Sequence, residues 1–190
     1  NVLLLIHPRD VPESVEYVLD QFVMRGGKLI AFVDPYAYFD QQPSPMPGAS
    51  AGGSSSSLPK LFKAWGVEMN PGKVLSDVVF ASGGGNRLTP TVLTLNRTAF
   101  NRDDVATSQI ETLLYAFGGA FDVKPAEGLK VTELVKSSPN SMFVDNIVAT
   151  VSGEAALKGF QPDNKSRPLA MRLSGKFKSA FPDGRPKDGA

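Results

Sequence analysis

The chain opens with a short unbroken apolar run, VLLLI at residues 2–6, stopped by His7-Pro8, which is how a strand buried on both faces reads. Val15, Val18, Leu19, Phe22 and Val23 then recur at the helical period and predict one apolar stripe on a helix. Asp10 and Glu13 stand in the spacing of a capping box ahead of it, with Pro12 tolerated in the first turn. Gly26-Gly27 falls where a left-handed C-terminal cap is expected, and Lys28–Val33 predicts a second buried strand ending at Asp34-Pro35. The unit reads β-α-β, so its strands should be parallel and its crossover right-handed. The glycine pair follows a helix and precedes a strand. A phosphate-binding glycine loop has the opposite order, so this pair is a corner and not an anion cradle.

Further along, residues 41–57 are rich in Pro, Gly and Ser and predict a flexible loop. Leu58, Leu61, Phe62 and Trp65 give a second helical stripe, closed by Gly66. VLSDVVF (74–80), TVLTL (91–95), TLLYAF, LKVTELVKSS and RPLAMRLSGKF predict later strands, with a short helix around Asp104 to Glu111. The expected architecture is therefore an α/β single domain over residues 1–190. Its sheet should be open, mostly parallel and flanked by helices in the flavodoxin-like manner, with a more strand-rich C-terminal half.

Composition narrows the chemistry. The chain has no cysteine, which removes thiol nucleophiles, thiolate metal sites and disulfides. Twenty basic residues against nineteen acidic ones give a net charge of +1, so nothing pulls the whole molecule towards nucleic acid. Gly175-Lys176 suggests a P-loop, but Ala170 and Phe177 break the pattern at two places. SGGGN at residues 82–86 reads as a loop tip, and no set of residues has metal-ligand spacing. Neither a cofactor nor a metal is expected.

Ligands of open parallel sheets sit beyond the carboxyl ends of the strands, which makes His7, Asp34, Asp77, Ser137 and Ser138 the candidate ligand-binding residues. A histidine, an aspartate and a serine are the parts of a nucleophilic triad. However, there is no G-x-S-x-G elbow to expose the serine, so turn and capping roles are preferred over catalysis. Alternation along the last strand would place Arg172, Ser174, Lys176 and Lys178 on one face, opposite Leu173, Gly175 and Phe177. The three basic residues, Arg172, Lys176 and Lys178, are the candidate partner surface.

The stretch from His7 to Pro35, with Pro8, Arg25-Gly26-Gly27 and Asp34-Pro35, together with Leu169–Phe181, resembles the soluble domain of the GldG-like auxiliary proteins of gliding-motility-associated and other uncharacterised ABC transport systems. That resemblance implies a degenerate relative of the class I glutamine amidotransferase fold without its cysteine nucleophile. It implies an extracytoplasmic, periplasmic domain of an inner-membrane protein, anchored by transmembrane helices outside this sequence and partnered by ABC permease and ATPase subunits. It carries no catalytic residues over. The apolar start of the chain agrees with a domain cut from a longer protein. The expected role is thus non-catalytic binding or scaffolding. The alternatives are a periplasmic receptor for a small solute or glycan, or an amidotransferase-like or hydrolase-like enzyme.

Overall fold

The computed structural model describes residues 1–42, 52–84, 88–151 and 156–187. Its elements in chain order are β1 (Val2–Ile6), α1 (Glu13–Met24), β2 (Lys28–Phe32), β3 (Ala37–Gln42), β4 (Gly52–Ser54), α2 (Pro59–Trp65), β5 (Val67–Glu68) and β6 (Lys73–Asp77). The second half adds β7 (Ala81–Ser82), β8 (Thr89–Leu95), a 3-10 turn at Arg97–Ala99, β9 (Leu113–Ala116), β10 (Asp122–Val123) and β11 (Leu129–Lys136). β12 (Ser141–Asp145), α3 (Asn146–Val151) and β13 (Pro168–Gly175) complete it.

β1, α1 and β2 form where the pattern predicts them, but the predicted apolar stripe of α1 is only partly buried: Leu19 lies in the core, while Val15 and Val18 are exposed. β1 and β2 pair in parallel, Val2 opposite Lys28 through Ile6 opposite Phe32, with α1 between them in sequence. The helix ends in a Schellman motif: the Gly27 N–H donates to the Phe22 carbonyl at 3.0 Å and the Gly26 N–H to the Val23 carbonyl at 2.9 Å. Gly26 takes the left-handed conformation at φ 83°. Gly27 is required for a different reason, because a Cβ there would lie 2.4 Å from the Phe22 ring. The capping box does not form. Pro12 is the N-cap without a side-chain bond, Asp10 sits at φ 47°, and Glu13 instead pairs with Lys60 on α2.

The remainder corrects the expected fold class. β1–β2 is a two-stranded sheet, and every other strand pairing among the described residues is antiparallel: β3–β4, β5–β10, β6–β12, β7–β8–β9 and β11–β13. Among the described residues there is no open parallel sheet of flavodoxin-like or amidotransferase-like kind. Unbroken apolar runs suggested strands buried on both faces. In fact β1 and β2 alternate between exposed and half-buried positions, one face inward and one outward. The partners of the later strands come from far along the chain, as where β6 meets β12, and local pattern carries no information about such pairings.

Two larger cores hold the small sheets together. One gathers Leu19 of α1, Leu58, Leu61 and Trp65 of α2, and Val67, packed by the inward side chains of β1 and β2 and by Leu173 and Phe177. The other gathers Leu75, Phe80, Leu93, Leu95, Phe100, Val135 and Leu169 around β6, β8, β11 and β13. A smaller cluster of Tyr36, Val74, Val144 and Ala149 lies beside β6 and β12. The expected helix at 104–111 is a series of turns. Residues 43–51 of the predicted flexible loop and 85–86 of SGGGN lie outside the described residues, while Gly52–Ser54 forms β4 against β3.

Candidate functional site

The strand-end rule does bring His7 and Asp34 into one region, at the carboxyl ends of β1 and β2. His7 takes φ 50°, an uncommon conformation for a residue with a side chain, and turns its ring towards the β3–β4 hairpin. Nε2 lies 2.8 Å from Ser54 Oγ and 3.2 Å from Asp40 Oδ2. Ser54 Oγ donates to the same Asp40 oxygen at 2.5 Å, and Arg9 Nη1 donates to it at 2.8 Å. These hydrogen bonds hold the Asp40 carboxyl below its ordinary range, with the Ser54 hydroxyl the largest cause. Asp34 accepts from the Tyr36 N–H at 2.9 Å, while its own N–H donates to Ser56 Oγ. Burial raises the Asp34 carboxyl, partly offset by the Tyr36 N–H and the nearby His7.

The residue types are those of a nucleophilic triad, but the polarity is wrong for one. In a triad the serine proton points at the imidazole and the carboxylate holds the opposite ring nitrogen. Here serine and aspartate both meet Nε2, and the Ser54 proton is committed to Asp40. The hydrogen shared with His7 therefore sits on Nε2, and Nδ1 is buried without a hydrogen-bond partner. His7 donates to Ser54 where a general base would accept from it. What the cluster does achieve is a clasp: it ties β1 to a hairpin 33 to 47 residues away.

Asp77, Ser137 and Ser138 also come together, in a second cluster joined to the first by no hydrogen bond among the described residues. Asp77 is fully buried at the end of β6. Its Oδ1 accepts from the Val79 N–H at 2.9 Å and Ser138 Oγ at 2.8 Å, and its Oδ2 accepts from the Ser138 N–H at 2.7 Å. Ser137 Oγ accepts from the Arg167 N–H at 2.9 Å, and Ser141 Oγ donates to the Ser138 carbonyl at 2.8 Å. Arg167 is buried, pairs with Asp163 at 2.7 Å and lies 4.7 Å over the Phe143 ring. Every acceptor of Asp77 is occupied by turn N–H and serine groups, so this aspartate closes the β6 turn onto the β11–β12 connection.

The basic surface is largely neutralised. Arg172 faces outward from β13 as alternation predicts, but it makes a two-pronged pair with Asp104 at 2.6 and 3.0 Å, and each group holds the other charged. Lys178 pairs with Glu127 at 2.7 Å. β13 ends at Gly175, so Lys176 and Lys178 lie beyond it. Phe177 turns inward onto Trp65, with ring centroids 5.2 Å apart.

Two acids of α1, Glu16 and Asp20, are buried. Glu16 Oε2 accepts from the Lys60 and Leu61 N–H groups at 3.0 and 3.1 Å and so caps α2, whose own N-cap residue Leu58 makes no side-chain bond. Asp20 accepts from Ser179 Oγ at 2.7 Å and the Ala180 N–H at 2.8 Å, fastening the end of the chain to α1. Their i,i+4 spacing puts both on one helix face, yet only tertiary structure shows that the face is inward.

An open groove of about 730 Å³ runs beside β5 and β10, lined by apolar residues such as Phe62, Val67 and Val123 and by the charged Lys63, Asp122 and Lys124. None of the predicted ligand residues lines it. Among the described residues no three His, Asp or Glu side chains could hold a metal ion, and no helix is long and apolar enough to cross a membrane. No curated protein and no solved structure matches the chain, whereas one sequence family, described as an ABC-type uncharacterized transport system, matches residues 1–190.

Proposed function

This chain belongs to the family of the ABC-type uncharacterized transport system, and from that premise we propose that it is a non-catalytic binding or scaffolding domain working beside the transporter subunits. The observation that supports the reading is the geometry around His7, where Ser54 Oγ lies 2.5 Å from Asp40 Oδ2 and 2.8 Å from His7 Nε2. With the Ser54 proton on Asp40, the one histidine of the chain faces no nucleophile that it could deprotonate. The second cluster points the same way, since Asp77 spends its oxygens on backbone and serine donors. The sequence features that carry the resemblance also have structural uses: Gly26-Gly27 closes α1, Phe177 packs on Trp65, and Ser179 and Ala180 bind Asp20.

The finer assignment follows the resemblance: a GldG-like component, on the extracytoplasmic side of the inner membrane, associated with a permease and an ATPase in gliding motility or export. Arg172, Lys176 and Lys178, with Asp104 and Glu127 beside two of them, form the mixed-charge surface offered to those partners. Such pairs contribute little to stability but steer and register a complex. This sequence holds no cysteine, so once any cysteine outside it in the full-length protein is replaced by serine the location is directly testable. A single cysteine introduced at Lys176 of the full-length protein should react with a membrane-impermeant maleimide in intact cells. Protection until the cells are broken would place the domain on the other side. Glutaminase or esterase turnover by the purified chain that disappears in His7→Ala would overturn the non-catalytic reading.

A further inference from the structure

After Gly175 the chain leaves its sheet but stays on the molecule. Residues 176–187 pair with no strand among the described residues and run back over α1 and α2. Side chains fasten them there: Phe177 stands edge-on to Trp65 with ring centroids 5.2 Å apart, and Phe181 edge-on to Tyr17 of α1 at 5.5 Å. Between the two rings, Asp20 of α1 accepts from Ser179 Oγ at 2.7 Å and from the Ala180 N–H at 2.8 Å. One buried acid thus catches the middle of the segment, and two half-buried rings hold it on either side. The Lys178–Glu127 pair is exposed and adds little to this attachment.

Two features mark this attachment as one that opens. The β11–β13 ladder stops at the Leu129–Gly175 pair, and Gly175 sits at φ 129°, a conformation that only glycine adopts readily, so the segment starts at a hinge. The indole that Phe177 packs against also has its Nε1 buried without a hydrogen-bond partner, a cost borne while the segment is closed and relieved when water enters. We infer that residues 176–187 form a latch, caught by Asp20, that swings about Gly175 and opens while both larger cores stay folded. The motion has a consequence for the charged surface, and this consequence alone rests on the partner reading above. Arg172 lies on the ladder and Lys176 and Lys178 on the latch, so only the closed form presents the three together.

Native-state hydrogen exchange reads the latch amide by amide, and Trp65, the one tryptophan of the chain, reports on the contact with Phe177. In the unmodified protein the Ala180 and Phe181 amides are expected to exchange about a hundred-fold or more faster than the core amide of Leu75, after correction for intrinsic rates, and with little dependence on low urea. Exchange of all three at one rate with one urea dependence overturns the latch. Asp20→Ala removes the catch and should speed Ala180 exchange about tenfold further and raise acrylamide quenching of Trp65, with Leu75 unchanged. Unchanged quenching, or a Leu75 amide that accelerates as much as Ala180, also overturns it, because the acid then holds the whole fold. Ser179→Ala, which leaves the buried acid in place, replaces Asp20→Ala if that variant fails to fold, with the same expectations. No transporter subunit enters these readouts, so failure of the latch and failure of the partner surface are told apart.

Discussion

Removing the Glu16 side chain tests how the first half of the fold is joined. Its carboxylate, 1% exposed, receives two of the N–H groups that the start of α2 leaves without partners. Glu16→Ala removes that cap and so leaves the two N–H donors without their acceptor, a loss of about 1–3 kcal/mol. A fall in Tm of about 2–12 °C follows for a chain of this size. Glu16→Gln keeps an accepting oxygen and should cost only about 1 kcal/mol. The pH dependence carries the sign. Burial raises the Glu16 carboxyl above its ordinary value of 4.5, and the Leu61 and Lys60 N–H groups pull it down by less. The native state therefore holds the Glu16 proton more tightly than the unfolded chain. The stability of wild type relative to Glu16→Gln should be greatest below pH 4.5 and be lost as pH rises through the folded-state value. Urea unfolding of the three proteins, followed by circular dichroism from pH 4 to pH 7, measures both effects. An alanine variant within about 0.5 kcal/mol of wild type would refute the capping argument. A wild-type advantage over Glu16→Gln that grows with rising pH would refute the electrostatic one.

Other outcomes follow from the same geometry. Gly175 sits at φ 129°, and a Cβ there would lie 2.2 Å from the Gly128 carbonyl oxygen. Gly175→Ala should accordingly cost about 2 kcal/mol or more in thermal unfolding. Asp77→Ala strips four donors of their acceptor and should destabilise by at least about 3 kcal/mol, while leaving the His7 cluster intact by NMR. Arg172→Ala should weaken the link between β13 and the 101–110 turns, seen as faster amide exchange around Ala106 and Thr107, with little change in overall stability.

Local chemistry in this chain was legible wherever the cause was local. The Schellman end of α1, the left-handed Gly66 closing α2 and the strand at Leu129–Lys136 all follow from residues within a few positions of one another. The parallel pairing of β1 with β2 was legible, but the coverage of their faces was not, because VLLLI has the same composition whether one face is covered or two, and the partners of the later strands lie too far along the chain to be read from local pattern. The burial of Glu16 and Asp20 depends on backbone N–H groups 44 and 160 residues away, and an acid on a helix reads as solvated until those donors are placed. His7, Asp34, Asp77, Ser137 and Ser138 were all picked as residues following strands, and the structure gathers them into two separate hydrogen-bonded clusters without showing that either binds a ligand. Asp40, Ser54 and Arg167, which define what those clusters do, sit in segments that look like ordinary loop and strand. Arg172 was correctly placed on the outward face, but its neutralisation by Asp104 needed the fold.

Whether this chain serves an ABC-type transporter through its surface is tested by isolating the protein, with whatever it binds, from detergent-solubilised cells. The wild type is to be compared with the Arg172→Glu, Lys176→Glu, Lys178→Glu triple variant, and the recovered permease and ATPase subunits quantified by mass spectrometry. Both subunits are expected to co-purify with wild type, and the triple variant, folded and equally expressed, to recover several-fold less of each. Absence of both subunits from the wild-type preparation would contradict the partnership, and equal recovery with the triple variant would remove the 172–178 surface from it.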